Sequence, residues 1–341
     1  MKKNNFIVTF FATLLLSTFA YAKDITITGA GATFVAPLIS KWSEEYKKIS
    51  GNSINYASIG SSGGVKQIRE KTVDFGATDA PLKGEDLEKD GMIQFPEIIG
   101  AVVPVINLEG FKPGELRIDG PTLASIFLGD ITKWSDKRIA DLNAGKKLPD
   151  TEITVVTRSD GSGTTNVFTD YLSKVSPVWK EKVGAANTVN WPAKSTIGGK
   201  GNEGVAANVT RIKGSIGYVE FAYAKLNNIP HMNMKNLDGK FVAPSLESFK
   251  AAAAGADWTS VPGMGISLNN QKGEKSWPIT SASFILMYKT PVDKTKSNET
   301  LKFFEWAFKN GGKSAESLEY VPLPANVTDY IAKNVWSKIQ K

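Results

Sequence analysis

The stretch at residues 157–165, TRSDGSGTT, combines the groups that hold a small anion. Arg158 offers a planar, permanently charged fork, and Asp160 stands two residues later, where it can pair with that fork and orient it. Ser162 and Thr164 add hydroxyl donors, and two glycines let the backbone approach a ligand closely. The residue types therefore predict a cradle for an oxyanion, although a polar surface turn has the same composition.

The flanking patterns place this cradle between a strand and a helix. Residues 153–156 (ITVV) are typical of a short buried strand, and residues 167–175 repeat apolar side chains on one helical face. The first N–H groups of a helix have no intrahelical partner and carry the positive end of its dipole. A turn of this kind therefore suits a tetrahedral oxyanion.

The same order of strand, glycine-rich turn and helix recurs twice in the first eighty residues. Residues 29–34 (GAGATF) follow a predicted strand, and so do residues 60–64 (GSSGG). A further strand over residues 73–78 ends at Asp79. A carboxylate at this end of a strand is unexpected in an anion site unless the anion carries a proton. The alternative is that Asp79 is only a turn residue before Pro81.

The string GSSGG also matches GxSxG, with Ser62 in the position of a hydrolase nucleophile. A serine nucleophile needs a base, and the chain has one histidine, His231, in a polar stretch without a motif. We expect His231 to be a surface residue. A serine hydrolase is therefore the alternative from another class of protein.

The composition is that of an ordinary soluble globular protein, with 41% hydrophobic and 22% charged residues. At 341 residues the chain is long for a single core, so two lobes are expected. The formal net charge is +7, but the basic residues are scattered and form no patch for nucleic acid. Because there is no cysteine, packing alone must hold the fold.

The first 22 residues have the pattern of a cleavable signal peptide. Two lysines precede an apolar run over residues 6–20, and Ala20-Tyr21-Ala22 has the form of a cleavage site. We expect an exported mature protein that begins near Lys23. Since no cysteine stands at the cleavage site, a lipid anchor is excluded and free diffusion in a Gram-negative periplasm is favoured.

Two apolar runs, residues 98–107 and 277–288, divide the rest of the chain. Strands alternate with helical patterns between and around them, and two amphipathic helices near residues 301–308 and 327–339 close the chain. The pattern predicts an α/β fold of two lobes, each a mixed, mostly parallel sheet flanked by helices, joined by a two-strand hinge. The predicted boundaries are residues 1–22 for the signal peptide, 23–107 with 277–341 for lobe I, and 108–276 for lobe II.

Taken together, several strings closely resemble the PstS family, the periplasmic phosphate-binding proteins of phosphate ABC transporters. They are GAGATF, GSSGGVKQI, VDFGATDAPL, RSDGSGT, GGKGNEG with GSIGYVE, and WPITS, and they cover essentially all of the mature chain. The resemblance implies a class II periplasmic binding protein that binds inorganic phosphate between its lobes and delivers it to the membrane permease of a transporter that also contains ATPase subunits. It implies a monomer with no cofactor, metal or catalytic residue.

The resemblance also implies the residues that hold the phosphate. They are Ala32, Thr33, Phe34, Ser61, Asp79, Arg158, Ser162, Gly163 and Thr164, with Asp160 supporting Arg158. Asp79 is the expected selectivity element, because it can accept the proton that phosphate keeps near neutral pH and that sulfate lacks. A site that demands a donor hydroxyl can reject an analogue without it by on the order of 10⁴ to 10⁵. A receptor for another oxyanion, such as sulfate, molybdate or tungstate, is the alternative among binding proteins.

Overall fold

The computed structural model describes residues 24–340, so the predicted signal peptide lies outside the described residues. The strands are β1 (Thr26–Gly31), β2 (Ser53–Ser58), β3 (Phe75–Thr78), β4 (Met92–Asn107), β5 (Arg117–Ile118), β6 (Thr154–Arg158), β7 (Thr196–Gly199), β8 (Ser215–Glu220), β9 (Asn233–Lys235), β10 (Phe241–Val242) and β11 (Thr280–Tyr288). The helices are α1 (Ala36–Ser50), α2 (Ser61–Arg69), α3 (Gly84–Asp90), α4 (Gly120–Leu128), α5 (Lys137–Leu142), α6 (Gly163–Val175), α7 (Pro177–Lys182), α8 (Gly201–Arg211), α9 (Phe221–Leu226), α10 (Leu246–Ala253), α11 (Lys294–Asn310), α12 (Gly312–Ser317) and α13 (Ala325–Tyr330). In this part of the chain no helix is long and apolar enough to cross a membrane.

Eight strands form one mixed sheet in the order β2-β1-β3-β11-β4-β8-β6-β7. The long strand β4 joins its two halves, because residues up to Ala101 pair with β11 and residues from Val102 onward pair with β8. Within each half the glycine-rich corners follow parallel strands. In the first half β1 pairs with β2 and β3, and in the second half β6 pairs with β7 and β8. The antiparallel pairs of this sheet all involve β4 or β11. The predicted α/β fold with mixed sheets is confirmed.

Each half of the sheet is covered by helices and has its own aromatic packing. In the first half, Phe304 of α11 meets Phe75 and Phe95 edge to face, with ring centroids 5.3 and 5.6 Å apart. In the second half, Phe168 of α6 stacks on Tyr218 of β8 with centroids 4.2 Å apart. The stacking of Phe168 on Tyr218 holds α6, which begins within the TRSDGSGTT stretch, on its sheet.

The two apolar runs cross between the halves side by side. The amide of Val102 donates to the Ile279 carbonyl over 2.9 Å, and the Trp277 indole N–H donates to the Val102 carbonyl over 3.0 Å. The division into lobes at residues 107 and 277 stays a prediction, and the change of strand partner on β4 occurs slightly earlier in the chain.

The prediction of one continuous helix over residues 327–339 is wrong. The structure has α13, then a wider π turn over Ile331–Val335 and a 3₁₀ turn over Trp336–Lys338. The changed winding accompanies the packing of Trp336, which stacks on Phe308 with centroids 5.7 Å apart. Tertiary packing thus overrides the helical period here.

Candidate anion-binding site

The glycine-rich corners of both halves meet at one enclosed site. The hydroxyl Oγ1 of Thr33, after β1, accepts hydrogen bonds from the amide and the side-chain Nδ2 of Asn202, at 3.1 and 2.7 Å. The same Nδ2 donates to Thr164 Oγ1, at the start of α6, over 3.2 Å. Three strand-to-helix turns that are far apart in the sequence are therefore joined by direct hydrogen bonds.

Ser61 and Gly163 bring the starts of α2 and α6 together. The amide of Asp79 donates to Ser61 Oγ over 3.2 Å, and a Cβ at position 163 would overlap that hydroxyl and crowd Asp79. Only glycine permits this approach. Ser162 caps α6 by accepting from the amide of Thr165 over 3.0 Å, and the amides of Gly163 and Thr164 have no intrahelical partner.

Arg158 is held by Asp160 in the geometry that the sequence predicts. Its Nε and Nη2 donate to the two carboxylate oxygens over 2.8 and 2.6 Å, and the Arg158 side chain is only 1% exposed. Burial alone would raise the pKa of Asp160, but the bonds from Arg158 lower it. Asp160 also accepts from the Gly201 amide over 3.0 Å, so the pair is tied to the start of α8.

The remaining guanidinium nitrogen of Arg158, Nη1, is buried and has no hydrogen-bond partner among residues 24–340. A buried charged donor without a partner is costly, so its presence points to a ligand. Arg158 also lies close enough to Asp79 to lower the pKa of that carboxyl. The free nitrogen therefore belongs to the same site as Asp79.

Asp79 is 1% exposed and stands where β3 ends. Its Oδ1 accepts from Ser283 Oγ over 3.1 Å and its Oδ2 accepts weakly from Thr164 Oγ1 over 3.4 Å. Burial raises the pKa of Asp79 to about 7, against the opposing effects of Ser283, Arg158, Thr164 and Ser61. The carboxyl therefore gains or loses a proton near neutral pH.

Residues 32–34 are fixed by their own backbone bonds. Ala32 donates its amide to the Ala77 carbonyl over 2.9 Å, and its carbonyl accepts from the Tyr56 hydroxyl over 2.8 Å. The carbonyls of Thr33 and Phe34 each accept from a tyrosine hydroxyl over 2.6 Å. All three residues are buried at the site, and their roles in binding stay predictions.

Sequence reasoning missed Asn202, Tyr218 and Ser283. Asn202 lies in the string GGKGNEG, which follows β7 and opens α8, so the corner pattern used elsewhere could have identified it. The Tyr218 hydroxyl bonds Thr165 Oγ1 over 2.7 Å and accepts from the Arg158 amide over 3.3 Å. Ser283 lies within the apolar strand β11, where nothing local marks it as a site residue.

The surroundings of Ser62 do not resemble those of a nucleophile. Its hydroxyl accepts from Asn187 Nδ2 over 3.1 Å, and an amide cannot act as a base. The expectation that His231 lies on the surface is wrong in part, because its ring is half-buried edge-on to Phe221. Within residues 24–340 no group of three or more His, Cys, Asp or Glu side chains could hold a metal ion.

Two sheet halves that enclose a polar site between them define a protein of the periplasmic-binding-protein class. The model of the PBP superfamily domain matches residues 18–310. The phosphate-binding protein PstS of Xylella fastidiosa (strain Temecula1) is 53% identical over 309 residues, which cover 91% of this chain and 84% of that protein. The PstS of Haemophilus influenzae is 50% identical, with 98% of each chain covered.

Among solved structures, the high-affinity periplasmic phosphate-binding protein PfluDING, bound with phosphate, is similar with a TM-score of 0.71. It is 19% identical, and the match covers 90% of this chain and 93% of that one, so it supports the fold. With the close relatives, the family is clear. The chain belongs to the PstS family of phosphate-binding proteins.

Proposed function

We propose that the protein binds inorganic phosphate in the enclosed site and delivers it to the permease of a phosphate ABC transporter. The observation that carries this proposal is the buried Nη1 of Arg158, which has no partner within the described chain although the rest of its guanidinium is fixed by Asp160. An anion that fits between the helix starts supplies that partner. The family relationship supports phosphate as the anion.

The remaining contacts come from both halves of the sheet. The proposed phosphate ligands are Ala32, Thr33, Phe34, Ser61 and Asp79 on one side, and Arg158, Ser162, Gly163 and Thr164 on the other. One guanidinium that is already paired with a carboxylate cannot neutralise the anion alone. The amides at the helix starts and the hydroxyls therefore carry most of the stabilisation.

Asp79 supplies the selectivity. Because its pKa lies near 7, the carboxyl and a bound phosphate share one proton in a single hydrogen bond, whichever of them brings it. Sulfate brings no proton, so an ionised Asp79 would face an oxygen that has only lone pairs. The site therefore favours phosphate over sulfate, molybdate and tungstate as its ligand.

The wider setting follows from the family and the fold. We place the protein in the periplasm, exported by the signal pattern in residues 1–22, as a monomer that docks on the permease of a transporter that also contains ATPase subunits. Lobe I (residues 23–107 and 277–341) and lobe II (residues 108–276) move about the hinge at β4 and the start of β11, and the ligand favours closure because it bonds to both.

The proposal is tested by titrating ligand-stripped protein with phosphate and following tryptophan fluorescence. Arg158→Ala removes the free donor, and we expect phosphate to bind about 30-fold weaker or worse, because truncating a buried charged partner costs about 2–5 kcal/mol. Arg138→Ala is the matched control, since Arg138 pairs with Asp136 at the same two-residue spacing but is exposed. If the two variants bind phosphate with equal affinity, Arg158 does not contribute to the site.

The same preparation separates a receptor from a hydrolase. A receptor releases phosphate unchanged, so we expect no turnover of a chromogenic phosphoester or ester. Steady turnover that is lost in Ser62→Ala would establish the alternative.

A further inference from the structure

A second buried carboxyl, Glu97, lies next to the selectivity residue and has no evident structural role. Glu97 is 1% exposed, and neither of its carboxylate oxygens finds a hydrogen-bond partner within residues 24–340. It sits at an irregularity of the ladder, because Ser283 of β11 pairs with Ile98 and Phe284 pairs with Pro96. A buried carboxylate that lacks any donor is strongly disfavoured, whereas a neutral carboxylic acid is tolerated far better.

The titratable groups that face Glu97 are Asp79, at the end of β3, and Tyr56 of β2. Burial first, and then the charge of Asp79, raise the pKa of Glu97 to about 8, while the Ser283 hydroxyl partly opposes this rise. Tyr56 stays neutral, because burial holds its pKa well above the ordinary value, and its hydroxyl donates to the Ala32 carbonyl. Glu97 is therefore protonated at neutral pH.

Ser283 is a neighbour of both carboxyls, because it bonds Asp79 and pairs across the ladder with Ile98, the residue after Glu97. Its hydroxyl donates to Asp79 Oδ1 over 3.1 Å, which uses its single proton. A serine hydroxyl still has two lone pairs that can accept. Ser283 can thus accept from a protonated Glu97 while it donates to Asp79.

We propose that Glu97 stays protonated while ligand is bound and donates to Ser283, which in turn holds Asp79 as the acceptor for the phosphate hydroxyl. Glu97 is then a positioning residue that acts through Ser283. The inference rests on the proposed function, because it concerns how the same site keeps its preference for a protonated anion.

The arrangement makes phosphate affinity sensitive to alkaline pH. When Glu97 ionises, its carboxylate attracts the Ser283 hydroxyl away from Asp79 and adds a second negative charge beside a site for an anion. Binding then requires Glu97 to regain its proton. One linked proton lowers the affinity by up to about tenfold for each pH unit above the pKa of the free form.

The experiment compares wild type with Glu97→Gln, which keeps a neutral side chain that can donate but cannot titrate. The phosphate Kd is measured by calorimetry from pH 6 to pH 9 for both proteins. Phosphate itself titrates in this range, but the ratio of the two Kd values at each pH cancels that contribution. Glu299→Gln is the matched control, because Glu299 is another buried glutamate that bonds Tyr46 and Asn52 elsewhere.

We expect the ratio of wild-type to Glu97→Gln Kd to be near one at pH 6–7 and to reach on the order of ten at pH 9, whereas Glu299→Gln follows wild type. A ratio that does not change with pH would overturn the inference. If neither protein binds phosphate at pH 7, the proposed function fails instead, so the two failures are distinguishable.

A second measurement holds even if Glu97→Gln does not fold. Calorimetry of wild type at pH 9, in buffers of different ionisation enthalpy, counts the protons taken up with phosphate. Asp79 is ionised and phosphate is a dianion at this pH, so an uptake approaching one proton is expected from Glu97. An uptake of zero would contradict the proposal.

Discussion

Replacing Asp79 by asparagine should narrow the gap between phosphate and sulfate affinity. In wild type, Oδ2 of the ionised carboxylate accepts the phosphate proton in a charge-assisted bond, which contributes about 1.5–3 kcal/mol. An asparagine amide can donate to a sulfate oxygen, which removes a mismatch of about 1–3 kcal/mol. The two effects move the affinity ratio in the same direction, so their sum of about 2.5–6 kcal/mol predicts a narrowing on the order of 10² to 10⁴.

The assay is calorimetry with phosphate and with sulfate at pH 8, where Asp79 is mostly ionised because its pKa is about 7. The loss of the negative charge favours both anions alike and so cancels in the ratio, which makes the ratio, rather than either Kd, the informative quantity. Asp74→Asn is the matched control. Asp74 precedes the same strand at its opposite end, where it accepts from Thr28, and its removal changes the net charge equally. A ratio in Asp79→Asn that equals the wild-type ratio would refute the reasoning.

Three further predictions concern the same site. Deleting one hydroxyl in Ser61→Ala, Ser162→Ala or Thr164→Val should weaken phosphate binding by roughly tenfold, from about 1–1.5 kcal/mol per bond, and by less than Arg158→Ala does in the same titration. Gly163→Ala should cost about 1–3 kcal/mol of binding free energy, because its Cβ overlaps the Ser61 hydroxyl, and an unchanged Kd would show that the corners do not close on the ligand. Sulfate stays fully deprotonated, so it needs the protonated form of Asp79. Its affinity should be constant below about pH 6 and should fall by up to about tenfold for each pH unit above pH 7. A calorimetric affinity that does not change with pH would contradict this.

The local parts of the fold could be predicted from the sequence because each is encoded by adjacent residues. The predicted strand-to-helix turn at residues 157–165 is present, and the structure adds that Ser162 caps α6 and Gly163 begins it. The pairing of Arg158 with Asp160 follows from two residues of opposite charge two positions apart, and the structure confirms it. The apolar patterns likewise indicate the strand before each corner and the helix after it.

The non-local parts could not be predicted, because no nearby residue records them. Ser283 and Glu97 lie in apolar strands. The antiparallel pairing of β11 with β3 brings Ser283 beside Asp79, and the pairing of β11 with β4 brings Glu97 beside Ser283. Asn202 is far from Thr33 in the sequence, yet it joins two corners. Such contacts depend on strand order and register, which periodicity alone does not specify.

The most direct test of the central claim is a crystal structure of the protein with phosphate bound. We expect one phosphate between the halves of the sheet, with one oxygen within hydrogen-bond distance of Asp79 Oδ2 and another bonded to Arg158 Nη1. Amides of α2 and α6 should complete its surroundings. A phosphate held elsewhere, or held at the corners without contact to Asp79, would contradict the account.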